Sequence, residues 1–193
     1  TLIIASAFVM IYNTALIAGE TKLSVGAVYN SATFDATGGN KETVLDDDYS
    51  STSISSDENF GSLFIEYNAV SDSGFGVSAG FEVIPGSVKF ASRTRTDTNA
   101  TDDDDSDAGD YKATAEISNP KSLYFEPTFM FNDNLGLFLK GGISHVTFKE
   151  TGDTGKRNSK YAEKSVFGGL YGFGAKASHS SGLFVKAEGV MTK

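Results

Sequence analysis

Hydrophobic and polar residues alternate strictly along FGVSAGFEV, residues 75–83. Successive side chains of a β-strand point to opposite faces, so Phe75 and Phe81 share one face, while Glu82 lies on the other with two glycines and a serine. In a soluble β-sandwich or lipocalin-like barrel the apolar face packs inward. In a transmembrane barrel the apolar face meets lipid and the polar face lines the lumen. The pattern predicts a strand, and the rest of the chain must decide which face is inside.

The same two-residue period recurs in seven segments after residue 20, none of which shows a sustained helical period. A tilted strand that crosses a bilayer needs roughly nine to eleven residues, and these segments are of that length. The predicted strands are residues 22–33, 61–70, 75–84, 122–131, 137–148, 166–177 and 183–192.

Charged residues inside the predicted strands all fall on one face of them, opposite a face of Leu, Val, Phe, Tyr and Ala. The charged face is also rich in glycine, which weakens a solvated strand but makes room for long side chains across a narrow lumen. This favours charges inside and apolar residues outside. The candidate lumen residues are Lys22, Glu66, Glu82, Glu126, Lys140, Lys176, Lys186 and Glu188.

Short and long connections alternate between the predicted strands. SDSG, NDNLG and HSSG have the composition of tight turns. Residues 34–60 and 85–121 are instead predicted to be long polar loops. In the second loop, strands could extend on both sides of the acidic residues 101–110, and Pro85 and Gly86 would mark a bend. Such alternation is typical of an up-and-down outer-membrane barrel with its short turns in the periplasm. We therefore predict an all-β fold, an antiparallel up-and-down transmembrane β-barrel.

The first eighteen residues, TLIIASAFVMIYNTALIA, carry no charge and end at Ala18 before GETK. They match the apolar region and cleavage end of a signal peptide, without its basic n-region; a transmembrane anchor is the alternative. We predict a signal peptide at residues 1–18 and an outer-membrane barrel over residues 19–193. Bacterial single-chain barrels have an even number of strands. Eight strands are thus expected with seven present in this chain, and the closing strand should follow Lys193.

Composition excludes several classes of function. The net charge of −9 lies in acidic clusters rather than basic stripes, which argues against nucleic-acid binding. The chain has no cysteine, so disulfides, thiolate metal sites and cysteine nucleophiles are excluded.

The acidic runs at residues 45–50 and 101–110 raise the alternative of a divalent-cation site, but the spacing does not match an EF-hand loop. We predict solvated loops, no metal and no cofactor.

FGVSAGFEV, LFLKGGISHVTF and LYGFGAKASHSSGLFVKAEG, with the signal-like start, resemble the small eight-stranded outer-membrane barrels of Gram-negative bacteria, the opacity-type and porin-like surface proteins. The resemblance covers residues 20–193 as a pattern of strands and turns. It implies a location in the cell outer membrane, contact with its lipid and lipopolysaccharide, insertion by the barrel-assembly machinery, and an unknown surface ligand. Such proteins are expected to end on a terminal aromatic residue, and Lys193 departs from this pattern.

The eight candidate lumen residues are four lysines and four glutamates, so their charges cancel. The lumen of an eight-stranded barrel is just wide enough for inward side chains to fill it, and charges there are costly unless they are paired. We predict a cross-barrel salt-bridge network that plugs the pore; solvated side chains without specific pairing are the alternative. The predicted neighbours are Lys140 with Glu126 and Glu82, and Lys186 with Glu188 and Lys176.

These features predict an integral outer-membrane protein with a structural or surface-interaction role and no enzymatic activity. A narrow passive channel, a soluble periplasmic or secreted β-barrel, and a lipid-modifying enzyme are the alternatives. The enzyme would have to use Ser144 and His145 with a loop aspartate, but adjacent strand residues point to opposite faces and cannot form one nucleophile–base pair. His179 is predicted to be an exposed turn residue, and no catalytic residue is assigned.

Overall fold

The computed structural model of the protein describes residues 2–15, 21–41, 49–71, 73–97, 109–153 and 163–193. Within these ranges, no helix is long and apolar enough to span a membrane. The strands are β1 (Leu2–Ala15), β2 (Thr21–Lys41), β3 (Tyr49–Val70), β4 (Phe75–Val83), β5 (Ser87–Asp97), β6 (Gly109–Met130), β7 (Leu135–Asp153), β8 (Lys164–Ser178) and β9 (Phe184–Thr192).

The strands pair antiparallel around a ring. From β1 the order runs through β2, β3 and β4 to the second half of β6, then through β7 and β8 to β9, which pairs again with β1. β5 pairs with the first half of β6 and follows β4 along the chain, so β4 and β5 together fill one place in the ring. Eight places result. The all-β, antiparallel up-and-down architecture predicted from the sequence is confirmed.

The bend between β4 and β5 lies at Pro85 and Gly86, as the sequence predicted. The facing strand β6 shifts its register between Ser118 and Lys121 at the same level. The backbone N–H of Asn119 donates to the carbonyl of Gly86 at 2.8 Å. A break in one strand is therefore matched by an irregularity in its neighbour, and pairing continues on both sides of it.

Three tight turns define one end of the barrel, called here the turn end. Gly74 and Gly182 adopt φ values of 80° and 87°, a left-handed conformation that glycine tolerates best. In the third turn, the side chain of Asn132 accepts hydrogen bonds from the backbone N–H groups of Asn134 and Leu135, both at 2.9 Å. SDSG, NDNLG and HSSG are thus turns, as predicted. The opposite end, where β2 ends at Lys41 and β3 begins at Tyr49, is called the loop end.

Strand β1 lies where the sequence predicted a signal peptide. Its register sets Leu2 opposite Phe34 of β2 and Thr192 of β9, so it fills the place between those two strands. The sequence predicted seven strands in the chain and an eighth beyond it. The structure corrects this count, because the eighth strand comes from residues 2–15. A short, uncharged apolar segment has no periodicity that would distinguish a strand from the apolar region of a signal peptide. Removal of residues 1–18 by a peptidase stays a prediction.

Two segments predicted to be long loops are largely strand. Within residues 34–60, β2 continues to Lys41 and β3 begins at Tyr49; within residues 85–121 lie β5 and the first half of β6. Extensions of the flanking strands were expected for the second segment only. Polar outward residues such as Asn59 give these regions the composition of loops, whereas Phe34, Val88 and Phe90 on the inward side are apolar and buried.

The outward faces of the strands carry a belt of large, exposed apolar side chains. Phe173 is 70 % exposed and Leu139 63 %. Phe81 also faces outward, whereas the side chain of its neighbour Glu82 is only 16 % exposed. The apolar face of FGVSAGFEV is therefore the outer face of the barrel, and its polar face is the inner one. The belt consists of Val25, Tyr29, Leu63, Ile65, Tyr67, Phe75, Phe81, Leu123, Phe125, Phe129, Phe131, Leu135, Leu137, Leu139, Ile143, Phe167, Tyr171, Phe173, Leu183 and Val185.

Towards the loop end the polarity of both faces reverses. In β2 the outward residues change from Tyr29 to the exposed Ser31, and in β3 from Leu63 to the exposed Asn59. The inward face becomes apolar at the same level, where the Phe34 and Phe90 rings stack at 5.7 Å between centroids. The barrel thus has a belt section, apolar outside and charged inside, and an upper section with the opposite arrangement. The core of the upper section is Ala32, Phe34, Val88, Phe90 and Ile117.

Candidate functional site in the barrel lumen

Inward charged side chains from six strands meet in the belt section. Seven of the eight predicted residues take part in the ion pairs there, and we call these seven the lumen network. The eighth, Lys22, is exposed at the turn end and takes no part in the ion pairs among the described residues. The members of the lumen network are Glu66, Glu82, Glu126, Lys140, Lys176, Lys186 and Glu188.

Lys186 of β9 lies at the centre of the lumen network. Its Nζ donates hydrogen bonds to Oε2 of Glu66 and to Oε2 of Glu126. These two carboxylates are the most buried of the network, at 0 % and 1 % exposure. The hydroxyl of Tyr124 donates to the same oxygen of Glu66 at 3.1 Å. One ammonium group therefore bridges carboxylates that belong to β3 and β6.

Lys140 of β7 forms a second centre towards the loop end. Its Nζ donates to both oxygens of Glu188, at 2.9 and 3.0 Å. The same Nζ lies 3.4 Å from Oε1 of Glu126 and 3.8 Å from Oε2 of Glu82. Glu82 in turn accepts a hydrogen bond from the hydroxyl of Ser62. Because Glu126 contacts both lysines, it joins the two centres into one network.

The structure confirms some of the predicted neighbours and corrects one. Lys140 lies beside Glu126 and Glu82, as predicted, and Lys176 is the register partner of Lys186. The predicted pair of Lys186 with Glu188 is wrong, because Glu188 binds Lys140 instead. Lys186 and Glu188 are two residues apart on β9, so their Cα atoms lie about 7 Å apart along the strand. Their long side chains reach across the lumen to other strands.

Aromatic rings lie beside the lysines of the lumen network. Lys140 Nζ lies 4.1 Å from the ring centroid of Tyr124, Lys176 Nζ 4.4 Å from that of Phe184, and Lys186 Nζ 5.1 Å from that of Phe138. These distances allow cation–π attraction. The sequence reading did not assign these rings to the site, although a signal exists: each lies two residues before a network charge, on the same face. The pairs are Phe64 with Glu66, Tyr124 with Glu126, Phe138 with Lys140, and Phe184 with Lys186.

Gly80 makes room for one of these rings. It is the register partner of Tyr124 on the neighbouring strand, and a Cβ atom added to Gly80 would overlap the Tyr124 ring. Gly174 stands in the same relation to Phe138, whose ring a Cβ at that glycine would meet at 2.5 Å. Glycine on the inward face thus provides space for the large side chains opposite, as the sequence pattern predicted.

Two cavities lie on either side of the lumen network. A cavity of about 50 Å³ towards the loop end is bounded below by Glu82, Lys140 and Glu188. A larger cavity of about 880 Å³ opens at the turn end and reaches inward to Lys176 and Asn68. The two cavities share no lining residue. The central group of Glu66, Glu126 and Lys186 lines neither of them and lies between the two.

The other candidate residues of the sequence lie apart from the lumen network's centre. Ser144 is buried inside and bonded to Ser122 at 3.2 Å, whereas His145 lies on the other face with its ring 4.7 Å from that of Phe167. His179 is exposed in a turn, where its ring bonds Ser181 at 2.9 Å. Most of the two acidic runs, residues 45–48 and 101–108, lies outside the described residues.

No protein-family model matches this chain, and a search of curated proteins finds no matching relative. The fold and the lumen network therefore carry the functional argument alone.

Proposed function

We propose that the chain is an integral outer-membrane β-barrel with a structural or surface-interaction role, and that the lumen network closes its lumen. The observation that carries this proposal is the belt section, where large apolar side chains face outward and the ion pairs are enclosed. Exposed apolar residues are common singly on soluble proteins, but a contiguous apolar belt marks an interaction surface. A belt around a barrel with a charged interior fits lipid.

The height of the belt supports a bilayer as its partner. In β7 it runs from Leu135 to Ile143, eight residue steps. At about 3.4 Å per step this is about 27 Å along the strand, or about 21 Å along the barrel axis for a tilt of about 40°. The apolar band of transmembrane barrels is about 25 Å tall. Tyr29 and Tyr67 lie near opposite edges of the belt, where aromatic residues meet the membrane interface.

Lipid contact can be tested with a charge in the middle of the belt. Leu139→Lys should lower the free energy of unfolding in liposomes by about 2–4 kcal/mol, the cost of a lysine at the bilayer midplane. The matched control is Asn59→Lys, an outward position of the upper section, which should change stability by less than about 0.5 kcal/mol. Urea unfolding of both variants measures the difference. Equal and small effects, together with release from membranes by carbonate, would indicate a soluble barrel instead.

The closed lumen is supported by the two cavities that share no lining residue and by the buried centre between them. Planar-bilayer recording of the purified protein should give no large, steady conductance. A small, steady and salt-dependent conductance would favour the second candidate function, a narrow passive channel for small solutes.

The remaining parts of the proposal concern surroundings and partners. Outer-membrane lipid and lipopolysaccharide would contact the belt, the barrel-assembly machinery would insert the chain, and the upper section would stand above the membrane and present a surface to a ligand still to be identified. Its polar outward face and apolar core suit a solvated position. The inward Ser144 and outward His145 leave the proposal without a catalytic pair, so it includes no reaction.

A further inference from the structure

The turn-end cavity, the larger of the two described above, has the size of a ligand site. Pockets that hold small molecules measure about 300–1,000 Å³, and this one measures about 880 Å³. Its wall combines polar groups such as Asn68 and Ser178 with apolar ones such as Phe184 and Met130. A molecule bound there could therefore place a polar group inward and an apolar body against the wall.

Charge in this cavity favours an anion. Lys176 and Lys22 both line it, and Asp133, exposed in a turn, is the only carboxylate residue among its described lining residues. His179 lies at the same rim. Lys176 stands at the inner end, with its side chain 12 % exposed. A cleft in which charges of one sign predominate concentrates ligands of the opposite sign.

Lys176 differs from the other two lysines of the lumen network in how it is paired. Lys140 and Lys186 donate hydrogen bonds directly to carboxylates. The Nζ of Lys176 instead donates to the side-chain carbonyl of Asn68 at 3.0 Å, and its nearest network carboxylate, Glu66, lies 3.9 Å away. An ammonium group has three donors, so Lys176 keeps donor capacity on the cavity side.

Asn68 fixes the position of that ammonium group. Its Oδ1 accepts from Lys176 and also from the hydroxyl of Ser78 at 2.7 Å, while its Nδ2 donates to the hydroxyl of Ser24 at 3.0 Å. The amide therefore holds Lys176 at one place at the end of the cavity, 4.4 Å from the centroid of the Phe184 ring. Such preorganisation lowers the cost of binding.

The geometry points to the turn-end cavity as a binding site for a small organic anion, with its phosphate or carboxylate group on Lys176, its charge complemented by Lys22, and its apolar part near Phe184. Charge-assisted hydrogen bonds to an ammonium group are the strong contacts in such a site. The site lies outside the closed centre of the lumen network and does not depend on whether the barrel conducts.

Binding can be measured on the detergent-folded barrel with phenyl phosphate as the probe and phenol as its uncharged counterpart. Calorimetric titration should show saturable binding of phenyl phosphate and none of phenol. Lys176→Gln should weaken binding about tenfold or more, because a hydrogen bond to a charged group is lost. Lys22→Gln, at the exposed end of the cavity, should weaken it about threefold as a longer-range charge is removed. Lys89→Gln, exposed in the upper section, is the control and should not change it.

Circular dichroism of each variant establishes that the barrel is folded before titration, and Lys22→Gln keeps the test informative if Lys176→Gln does not fold. Absence of saturable binding to the unchanged protein would overturn the proposal. Equal affinity in the unchanged protein and in both cavity variants would do so as well, since binding would then occur elsewhere.

Discussion

Removal of Lys186 is the most direct test of the lumen network, because this one ammonium group serves two buried carboxylates. In Lys186→Met the side chain stays unbranched and keeps most of its length, but loses its charge. Glu66 is left with the hydroxyl of Tyr124 and with Lys176 at 3.9 Å, and Glu126 with Lys140 at 3.4 Å. Removing one partner of a buried ion pair costs about 3–5 kcal/mol. Since two pairs are lost here, we expect the upper part of that range.

The chain contains a matched exposed ion pair for comparison. Lys149 and Glu163 are joined at 3.1 Å, with their side chains 34 % and 61 % exposed. Exposed pairs contribute about 0–1 kcal/mol, so Lys149→Met should stay within that range. A charge-balancing second substitution provides a further check: Lys186→Met with Glu66→Gln should recover at least about 1 kcal/mol, as expected for residues in direct contact.

Urea unfolding of the lipid-refolded barrel measures these differences. The chain has no tryptophan, so far-ultraviolet circular dichroism and the heat-dependent mobility of the folded barrel on gels report the transition. If Lys186→Met costs no more than Lys149→Met, the carboxylates of the lumen are solvated and the reasoning from burial fails. The same conclusion follows if the Glu66→Gln substitution gives no recovery.

Two further predictions address the inner wall and the ring. Gly80→Ala should destabilise the barrel by about 1–3 kcal/mol, the usual cost of overpacking, because the added methyl group overlaps the Tyr124 ring; Gly141→Ala, where nothing lies within 4 Å of the new Cβ, should be close to neutral in the same unfolding assay. Cysteines at Ala5 and Gly189, which are register partners of β1 and β9, should form a disulfide on mild oxidation, seen as a mobility change on non-reducing gels that neither single variant shows. A mature protein that lacks residues 1–18 and forms no such cross-link would support signal-peptide cleavage instead.

The strands and the sorting of their faces could be predicted because both depend on local information. Alternation in a segment such as residues 75–83 assigns each side chain to a face without any knowledge of its neighbours. Turn composition identified the three connections at the turn end for the same reason. The direction of the charged face required a further argument from glycine, and Gly80 beside Tyr124 shows why that argument holds: space on the inward face is limited.

The pairing within the lumen could be predicted only in part, because it depends on strand tilt and register. The contact of Lys140 with Glu82 was predicted correctly. The sequence does not show that Lys140 also reaches Glu188, or that Lys186 binds Glu66 and Glu126 instead of Glu188. The upper section was missed for another reason. Exposed residues such as Ser31 and Asn59 are polar there and the core residues are apolar, so these segments lack the apolar outward face of the belt section and resemble loops.

The charges of the predicted lumen residues balance, but those of the observed lumen network do not. The eight predicted lumen residues sum to zero, but Lys22 stands outside the ion pairs, so the lumen network holds four carboxylates and three ammonium groups. Neutral donors take the place of the fourth lysine: Tyr124 donates to Glu66, and Ser62 donates to Glu82. A hydrogen bond to a charged group is worth about 1.5–3 kcal/mol, enough to offset much of the cost of an unmatched carboxylate in a partly enclosed site. The stability of the lumen network therefore depends on these two hydroxyl groups as well as on the lysines, and a search for such sites from sequence must count inward hydroxyls along with charges.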